Sequence, residues 1–335
     1  MDSLISFVTS PAILPWFILC AVVIFERFWF LPTRLDPMTF VRLLALRMAE
    51  RVCPKPFVKT KSASQKTPKS QFWISGALAA FMIIVPNLII LLIFREFVYY
   101  PELFDAVILY LCIQFSSNIQ RFQHIRRALI AGKKKLARNL LAPMVLRETA
   151  ILSDVGVSKA AIESVILRFH YQALICFFLF IVFGPITTLA YRLCYELHIV
   201  WNTKIETYSE FGKPMAKLVM LFQWLPIRLN ALLTVVISRG LKIFSYVRLY
   251  GLATSWSEGH GAIILRASHF ALDTNLSGAV FYNKIKVRRT KYIGQGEPTA
   301  LFMPNALAVI NRLLFVNLLL LLLTCLIINS LTIYL

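Results

Sequence analysis

Six long apolar runs leave this chain few ways to fold other than across a lipid bilayer. They lie at 11–31, 72–94, 98–115, 172–196, 215–238 and 307–334. A helix of about 20 apolar residues crosses the hydrocarbon core of a membrane. Hydrophobic residues make up 58% of the 335 positions, against roughly 45–50% in soluble domains. The sequence predicts an all-α, polytopic membrane protein with about five or six transmembrane helices, built as a single integral membrane domain over 1–335.

Every second connection between the apolar runs is strongly basic. Of the 36 Lys and Arg residues, nine lie in 32–71, ten in 116–171 and nine in 239–306, whereas 95–97 and 197–214 are near charge balance. Cytoplasmic loops of membrane proteins carry excess Lys and Arg. The net charge of +20 is thereby explained without nucleic acid. We expect a bacterial inner (plasma) membrane, cytoplasmic basic loops, and both termini outside.

Two apolar segments are weaker candidates for a full span. The segment at 98–115 contains Pro101 and two acidic residues, so it is either a short span or an interfacial helix. The segment at 215–238 contains two cations and Pro226, which kinks a helix. It either packs against other helices or lies partly in the interface, and the side of the membrane that holds 197–214 stays open.

Three polar regions connect the apolar segments. The Pro-, Ser- and Lys-rich stretch at 53–71 predicts a flexible basic loop. The region at 116–171 predicts a cytoplasmic helical region, and 239–306 a cytoplasmic loop region. Within the first helical region, 120–141 has apolar residues near one face and Arg and Lys elsewhere. Such a basic amphipathic helix either lies on anionic headgroups or packs on a neighbouring helix.

Motifs for nucleotide, metal and disulfide chemistry are missing from the sequence. It has no Walker A loop, no G-x-G-x-x-G and no C-x-x-C pair. His260 and His269 share a loop with Asp273; solvated loop residues are the simpler interpretation, and a metal site the alternative. We therefore predict no metal site, no resident cofactor and no nucleic-acid partner.

Six short motifs follow one another between 120 and 232. They are Ala137-Arg138, Arg147-Glu148-Thr149, Glu163-Ser164, Tyr191-Arg192, Phe211-Gly212 and Leu225-Pro226-Ile227-Arg228-Leu229. In this order and spacing they resemble the CobD/CbiB family of membrane proteins in cobalamin biosynthesis. The resemblance covers about a third of the chain. It implies an adenosylcobinamide-phosphate synthase, which joins an aminopropanol group to adenosylcobyric acid with ATP and magnesium.

The resemblance also implies a retained polar network. Its members are Arg147, Glu148, Thr149, Glu163, Tyr191, Arg192, Trp224 and Arg228. Arg168 is expected to join this network on the cytoplasmic side. Glu196 lies four residues after Arg192, the spacing of an ion pair on one helix face. A structural carboxylate is the simpler interpretation for each acid, so no residue is assigned as catalytic.

The departures from the family pattern bear directly on magnesium binding. Where the family has acidic residues or asparagine, this chain has Leu167-Arg168, Tyr171-Gln172, Tyr195, His198 and Val219-Met220. Magnesium prefers carboxylate oxygens, which Leu, Val and Met lack. The chain is in this respect closest to the AmpE group, a degenerate branch of the superfamily associated with β-lactamase induction.

Two further stretches resemble the AmpE group. Glu26 and Arg27 end the first apolar run among aromatic residues, and 167–180 has Arg-Phe-aromatic where the ligases have acids. The pair Glu26 and Arg27 is either functional at the membrane face or a helix-end ion pair that reaches the headgroups.

The leading hypothesis is a non-catalytic, AmpE-like regulatory or signalling modulator of the inner membrane. The first alternative is an ATP-dependent amide ligase of the CobD/CbiB type, for which Mg and ATP would be required. The second alternative is a transporter or lipid-handling protein, because charged residues within spans often mark pathways. The expected partners are a bilayer with anionic headgroups and a cytoplasmic or membrane protein.

Overall fold

A computed structural model of the chain describes residues 10–11, 13–31, 36–53, 69–240, 243–250, 259–278, 280–282, 285–287 and 290–334. The helices are α1 (Leu14–Phe28), α2 (Pro37–Val52), α3 (Lys69–Phe97), α4 (Pro101–Ile113), α5 (Ser116–Ile130), α6 (Lys134–Leu141), α7 (Asp154–Arg168), α8 (Ile175–Val200), α9 (Lys213–Arg239), α10 (Ile243–Tyr250), α11 (Gly259–Leu272) and α12 (Met303–Tyr334). A π-helix at Phe169–Leu174 joins α7 to α8. Most of the predicted loop at 53–71 lies outside the described residues.

Five helical segments of the described residues are long and apolar enough to cross a membrane. They are Ser70–Phe97, Pro101–Ile130, Asp154–Val200, Lys213–Arg239 and Met303–Leu331. The prediction of an all-α, multi-pass membrane protein is confirmed. The first apolar run is the exception, because α1 has only 15 residues and is about 22 Å long, short of a hydrocarbon core of about 30 Å.

The chain divides into two compact units. Unit 1 contains Met1–Trp16, Phe115–Ile175 and Trp224–Leu335, and unit 2 contains Phe17–Gln114 and Cys176–Gln223.

Helix α7 lies at the centre of unit 1. It begins at a cap in which the Ser153 hydroxyl accepts a hydrogen bond from the Gly156 amide at 3.1 Å, as expected of serine before a helix. The helix packs against α5, α6, α11 and α12. Its buried residues include the small side chains of Ser158, Ala161 and Ser164, which let helices approach closely. Glu163 is therefore held within a tightly packed core.

Two small antiparallel strand pairs follow α11 in unit 1. Strand β1 (Leu276–Ser277) pairs with β4 (Lys291–Tyr292), and β2 (Val280–Tyr282) pairs with β3 (Ile285–Val287). The sequence did not indicate these strands, since two or three residues are too few to display a period-two pattern.

Close backbone contacts organise unit 2. Helix α2 is capped by the Asp36 carboxylate, which accepts from the Met38 amide at 2.9 Å. The indole of Trp201 donates to the Ala45 carbonyl at 3.0 Å. A methyl group added to Gly212 would collide with the Trp201 carbonyl. Steric exclusion of a side chain therefore explains why glycine follows Phe211 in the Phe-Gly motif.

Substitution of Gly76 tests this close packing. A side chain at Gly76 would collide with the backbone carbonyl of Phe211, so we expect Gly76→Ala to lower the free energy of unfolding by about 1–3 kcal/mol. Thermal unfolding in detergent measures the change. Gly296→Ala is the control, because a methyl group there meets no atom within 4 Å. Equal stability of the two variants would contradict the close approach.

Candidate functional site

The carboxylate of Glu163 is the centre of a polar cluster in unit 1. Arg147 donates to Glu163 Oε2 at 2.6 Å, and the Ser277 amide donates to Glu163 Oε1 at 2.8 Å. The side chains of Glu163 and Arg147 are only 3% and 15% exposed. We call Arg147, Glu163 and Ser277 the Glu163 cluster. It ties α7 to the segment that precedes it and to β1.

The Glu163 cluster supports an unusual backbone conformation. Ser277 has a φ of 59°, in the left-handed region that costs a residue other than glycine about 1 kcal/mol or more. The bond to Glu163 satisfies its amide. Two lysine side chains lie close to the neighbouring Gly278. A methyl group added to Gly278 would lie 3.7 Å from Lys159 Nζ, and it would also contact the Lys291 side chain. The surroundings of Glu163 are therefore basic.

Short hydrogen bonds hold the loop around the strand pair. Asn275 Nδ2 donates to Glu297 Oε1 at 2.7 Å, and Asn275 Oδ1 accepts from the Gly294 amide at 2.8 Å. His269 Nδ1 lies 2.8 Å from the Thr274 carbonyl, and Arg239 pairs with Asp273 at 3.2 Å. His269 and Asp273 thus already have protein partners. Within the described part of the chain, no three His, Cys, Asp or Glu side chains are grouped to hold a metal.

Arg228 and Trp224 lie together in unit 1. The Arg228 guanidinium lies 4.5 Å from the Trp224 ring centroid, and its Nη1 donates to the Trp224 carbonyl at 2.9 Å. This is a cation–π contact. Burial is the larger of two effects that lower the pKa of His260 from 6.5 to about 4, and the positive charge of Arg228 is the smaller. His260 is therefore neutral at pH 7.

Arg168, at the end of α7, donates hydrogen bonds to neutral acceptors. It donates to the Met144 carbonyl at 3.2 Å and to Asn118 Oδ1 at 3.4 Å. Asn118 in turn donates to Gln172 at 2.9 Å, and this contact is buried. Gln172 stands in the π-helix, a type of irregularity that is frequent at functional sites. Two neutral amides, Asn118 and Gln172, thus lie next to the Arg168 guanidinium.

Two further motif residues of unit 1 precede α7 in the chain. Glu148 is exposed and Thr149 is half-buried in the turn before α7. The Leu152 amide donates to the Thr149 carbonyl at 3.2 Å, and Arg138 donates to the Leu152 carbonyl. The Ala-Arg motif at Arg138 therefore stabilises the same turn.

Unit 2 contains a second buried carboxylate with two arginines. Arg192 contacts Glu196 at 2.7 Å, with side-chain exposures of 2% and 0%. Arg42 of α2 contacts the same carboxylate at 2.5 and 3.1 Å. We call Arg42, Arg192 and Glu196 the Glu196 cluster. The i,i+4 pair expected from the spacing is present, whereas Arg42 was missed.

Arg42 could not be found from any local pattern, because it lies 154 positions before Glu196. Burial disfavours its charge, but the hydrogen bond and negative charge of Glu196 outweigh this and raise the pKa of Arg42. In the Glu196 cluster, two guanidinium groups thus contact a single carboxylate.

Other predicted residues of unit 2 differ in their burial. Tyr191 is fully buried, receives a hydrogen bond from Gln223 at 3.1 Å and stacks on Tyr195. Glu26 is buried and Arg27 exposed, as expected of adjacent residues on a helix, which do not face each other. A functional role for this pair stays a prediction.

The chain as a whole is similar to proteins of one known family. A family model described as CobD/Cbib protein matches residues 19–310. The chain is 29% identical over 207 residues to "Cobalamin biosynthesis protein CobD" of Chromobacterium violaceum, covering 62% of this chain and 66% of the relative. It is 28% identical over 204 residues to the protein of the same name from Stutzerimonas stutzeri, covering 61% and 66%.

A more distant relative is "Probable cobalamin biosynthesis protein CobD" of Pyrococcus abyssi, 25% identical over 178 residues, or 53% of this chain and 59% of the relative. The matched part thus spans slightly less than two thirds of the length of each of these relatives. No solved structure matches the chain significantly. Since the family model covers most of the chain, this multi-pass membrane protein belongs to the CobD/CbiB family.

Proposed function

We propose that this protein is a non-catalytic member of the CobD/CbiB family that acts as an AmpE-like regulatory or signalling modulator in the inner membrane. One observation carries the proposal: two buried carboxylates of the region that carries the family motifs, Glu163 and Glu196, both contact arginines. A carboxylate held by a guanidinium in a fixed geometry stabilises the fold. Neither is left to bind magnesium.

The donor set does not fit magnesium bound to ATP. This hard ion prefers carboxylate oxygens in octahedral geometry. Val219 is an apolar, buried residue, and Gln172 is occupied by Asn118. The remaining carboxylates near the Glu163 cluster are also in use, since Glu297 accepts from Asn275 and Asp273 pairs with Arg239. We therefore derive no reaction step through magnesium or ATP.

The names of the relatives favour a second candidate function. One protein called cobalamin biosynthesis protein CobD is 29% identical to this chain over 207 residues. An ATP-dependent amide ligase of the adenosylcobinamide-phosphate synthase type is the corresponding candidate. Glu148 and Asp154 are exposed, so a ligase would have to take its metal ligands from surface carboxylates of this kind.

Titration of Mg-ATP distinguishes the two candidates. The full chain is purified in detergent, and binding is followed by calorimetry in parallel with the Chromobacterium violaceum relative. We expect no saturable heat from this chain at millimolar ATP and no ATP-dependent amide formation from adenosylcobyric acid. Circular dichroism establishes that the protein is folded.

Complementation provides the second readout. A strain that lacks its ligase is expected to stay dependent on added cobalamin when it expresses this chain in its membrane. Saturable, magnesium-dependent ATP binding together with rescue of that strain would overturn the non-catalytic proposal in favour of the ligase.

A further inference from the structure

Helices α5 and α6 form a hairpin whose charged side chains are all basic. Residues 116–141 contain seven Lys and Arg residues and not one Asp or Glu. Only part of this charge is used internally: Lys134 pairs with Asp154 at 3.3 Å, and Arg138 donates to the Leu152 carbonyl. Among the described residues, no carboxylate pairs with Arg127 or Lys133. We call residues 116–141 the basic hairpin.

A cleft of about 400 Å³ opens between the two helices of the basic hairpin. Cationic or titratable groups line one part of it, and small or apolar side chains line the rest. The lining consists of His124, Arg127, Lys133, Ala128, Ala131, Leu136 and Leu140. A cleft with basic groups beside an apolar floor is complementary to a ligand that has an anionic head and a hydrocarbon tail.

The position of the basic hairpin identifies the source of such a ligand. Helix α5 is the C-terminal part of Pro101–Ile130, a segment that is long and apolar enough to cross a membrane, so membrane lipid is the source that we consider for this ligand. Ile130 and Leu136 are 55% and 47% exposed beside the cleft. Basic amphipathic helices at this level bind anionic lipids through both their cations and their apolar residues.

We propose that the cleft of the basic hairpin binds an anionic phospholipid of the surrounding membrane. The phosphate is held by Arg127 and Lys133, and the upper part of an acyl chain lies against Leu136 and Leu140. This inference does not depend on the proposed regulatory function, since it uses only the charge, the cleft and the adjacent span.

Lipid binding to variants of the full chain tests the proposal. The protein is purified in neutral detergent and titrated with dioleoylphosphatidylglycerol or dioleoylphosphatidylcholine, and bound lipid is counted by native mass spectrometry. The cleft variant is Arg127→Gln/Lys133→Gln. The control is Lys135→Gln/Arg248→Gln, which removes the same charge from two exposed residues that do not line the cleft.

We expect the cleft variant to bind phosphatidylglycerol at least about tenfold more weakly, and the control to stay within twofold of the natural protein. Ala131→Trp, which fills the cleft without a change of charge, is expected to weaken binding similarly. Thermal unfolding without lipid verifies that each variant folds. Arg127→Gln/Lys133→Gln and Ala131→Trp test the cleft independently, because the first changes its charge and the second its volume.

Three results would overturn the proposal. Equal weakening by the cleft and control variants would mean that only overall charge attracts the lipid. Equal binding of phosphatidylcholine would mean that the anionic head is not recognised. Competition by millimolar inorganic phosphate, with no dependence on the acyl chains, would assign the cleft to a free phosphate.

Discussion

Glu196→Gln is expected to lower the free energy of unfolding by about 3–5 kcal/mol, because it leaves buried cations without a counter-charge. Arg192 is the residue most affected, since it is 1% exposed and its Nε and Nη1 have no hydrogen-bond partner among the described residues. Its Cζ also lies 5.5 Å from the Tyr195 ring centroid, but a cation–π contact is too weak to replace a carboxylate.

Denaturant titration in detergent micelles measures this loss. Glu210→Gln is the matched control, because Glu210 pairs with Lys213 at the surface, where their side chains are 25% and 46% exposed. A surface pair contributes about 0–1 kcal/mol. A loss below about 1 kcal/mol for Glu196→Gln would contradict the buried charge balance described above.

A compensating variant separates charge from packing in the Glu196 cluster. Arg192→Met/Glu196→Leu removes both fully buried charges, and apolar replacement of a buried pair is often neutral or stabilising. Arg42 is one-third exposed and can turn its charge toward water. We therefore expect the double variant to be more stable than Glu196→Gln alone.

The helices were largely predictable from sequence because they depend on long, local patterns. The apolar runs at 72–94 and 307–334 correspond to helices α3 and α12, and the spacing of Arg192 and Glu196 placed both on one helical face. The family motifs also gave the correct family, since their order extends over residues 137–229.

Contacts between distant segments were not predictable in the same way. Nothing near Arg42 indicates that it contacts a residue 154 positions later, and β1 and β4 have only two residues each. Ser277 contacts Glu163 through its backbone amide, which every residue except proline possesses. Residue type carries no information about such a bond.

The Glu163 cluster gives the second large effect. Glu163→Ala is expected to destabilise the protein by about 3–5 kcal/mol, because it strands Arg147 in a mostly buried position and removes the acceptor for the Ser277 amide. Glu163→Gln keeps an acceptor for that amide but loses the charge, so we expect roughly half this loss. Denaturant titration in detergent measures both.

The comparison with Asp154→Asn provides the control on the same helix. Asp154 pairs with Lys134, and both side chains are exposed, so its loss is expected to cost less than about 1 kcal/mol. A double-mutant cycle of Arg147→Met and Glu163→Gln should yield a coupling energy of at least about 1 kcal/mol. Additive effects of the two substitutions would mean that the 2.6 Å contact contributes nothing.

Hydrogen exchange distinguishes local from global effects in the same variants. The Ser277 amide is buried and bonded to Glu163, so it should exchange slowly in the natural protein. Glu163→Ala should speed exchange at Ser277 far more than at the amides of α12. That result would assign Glu163 the structural role of holding β1 and the left-handed turn in place.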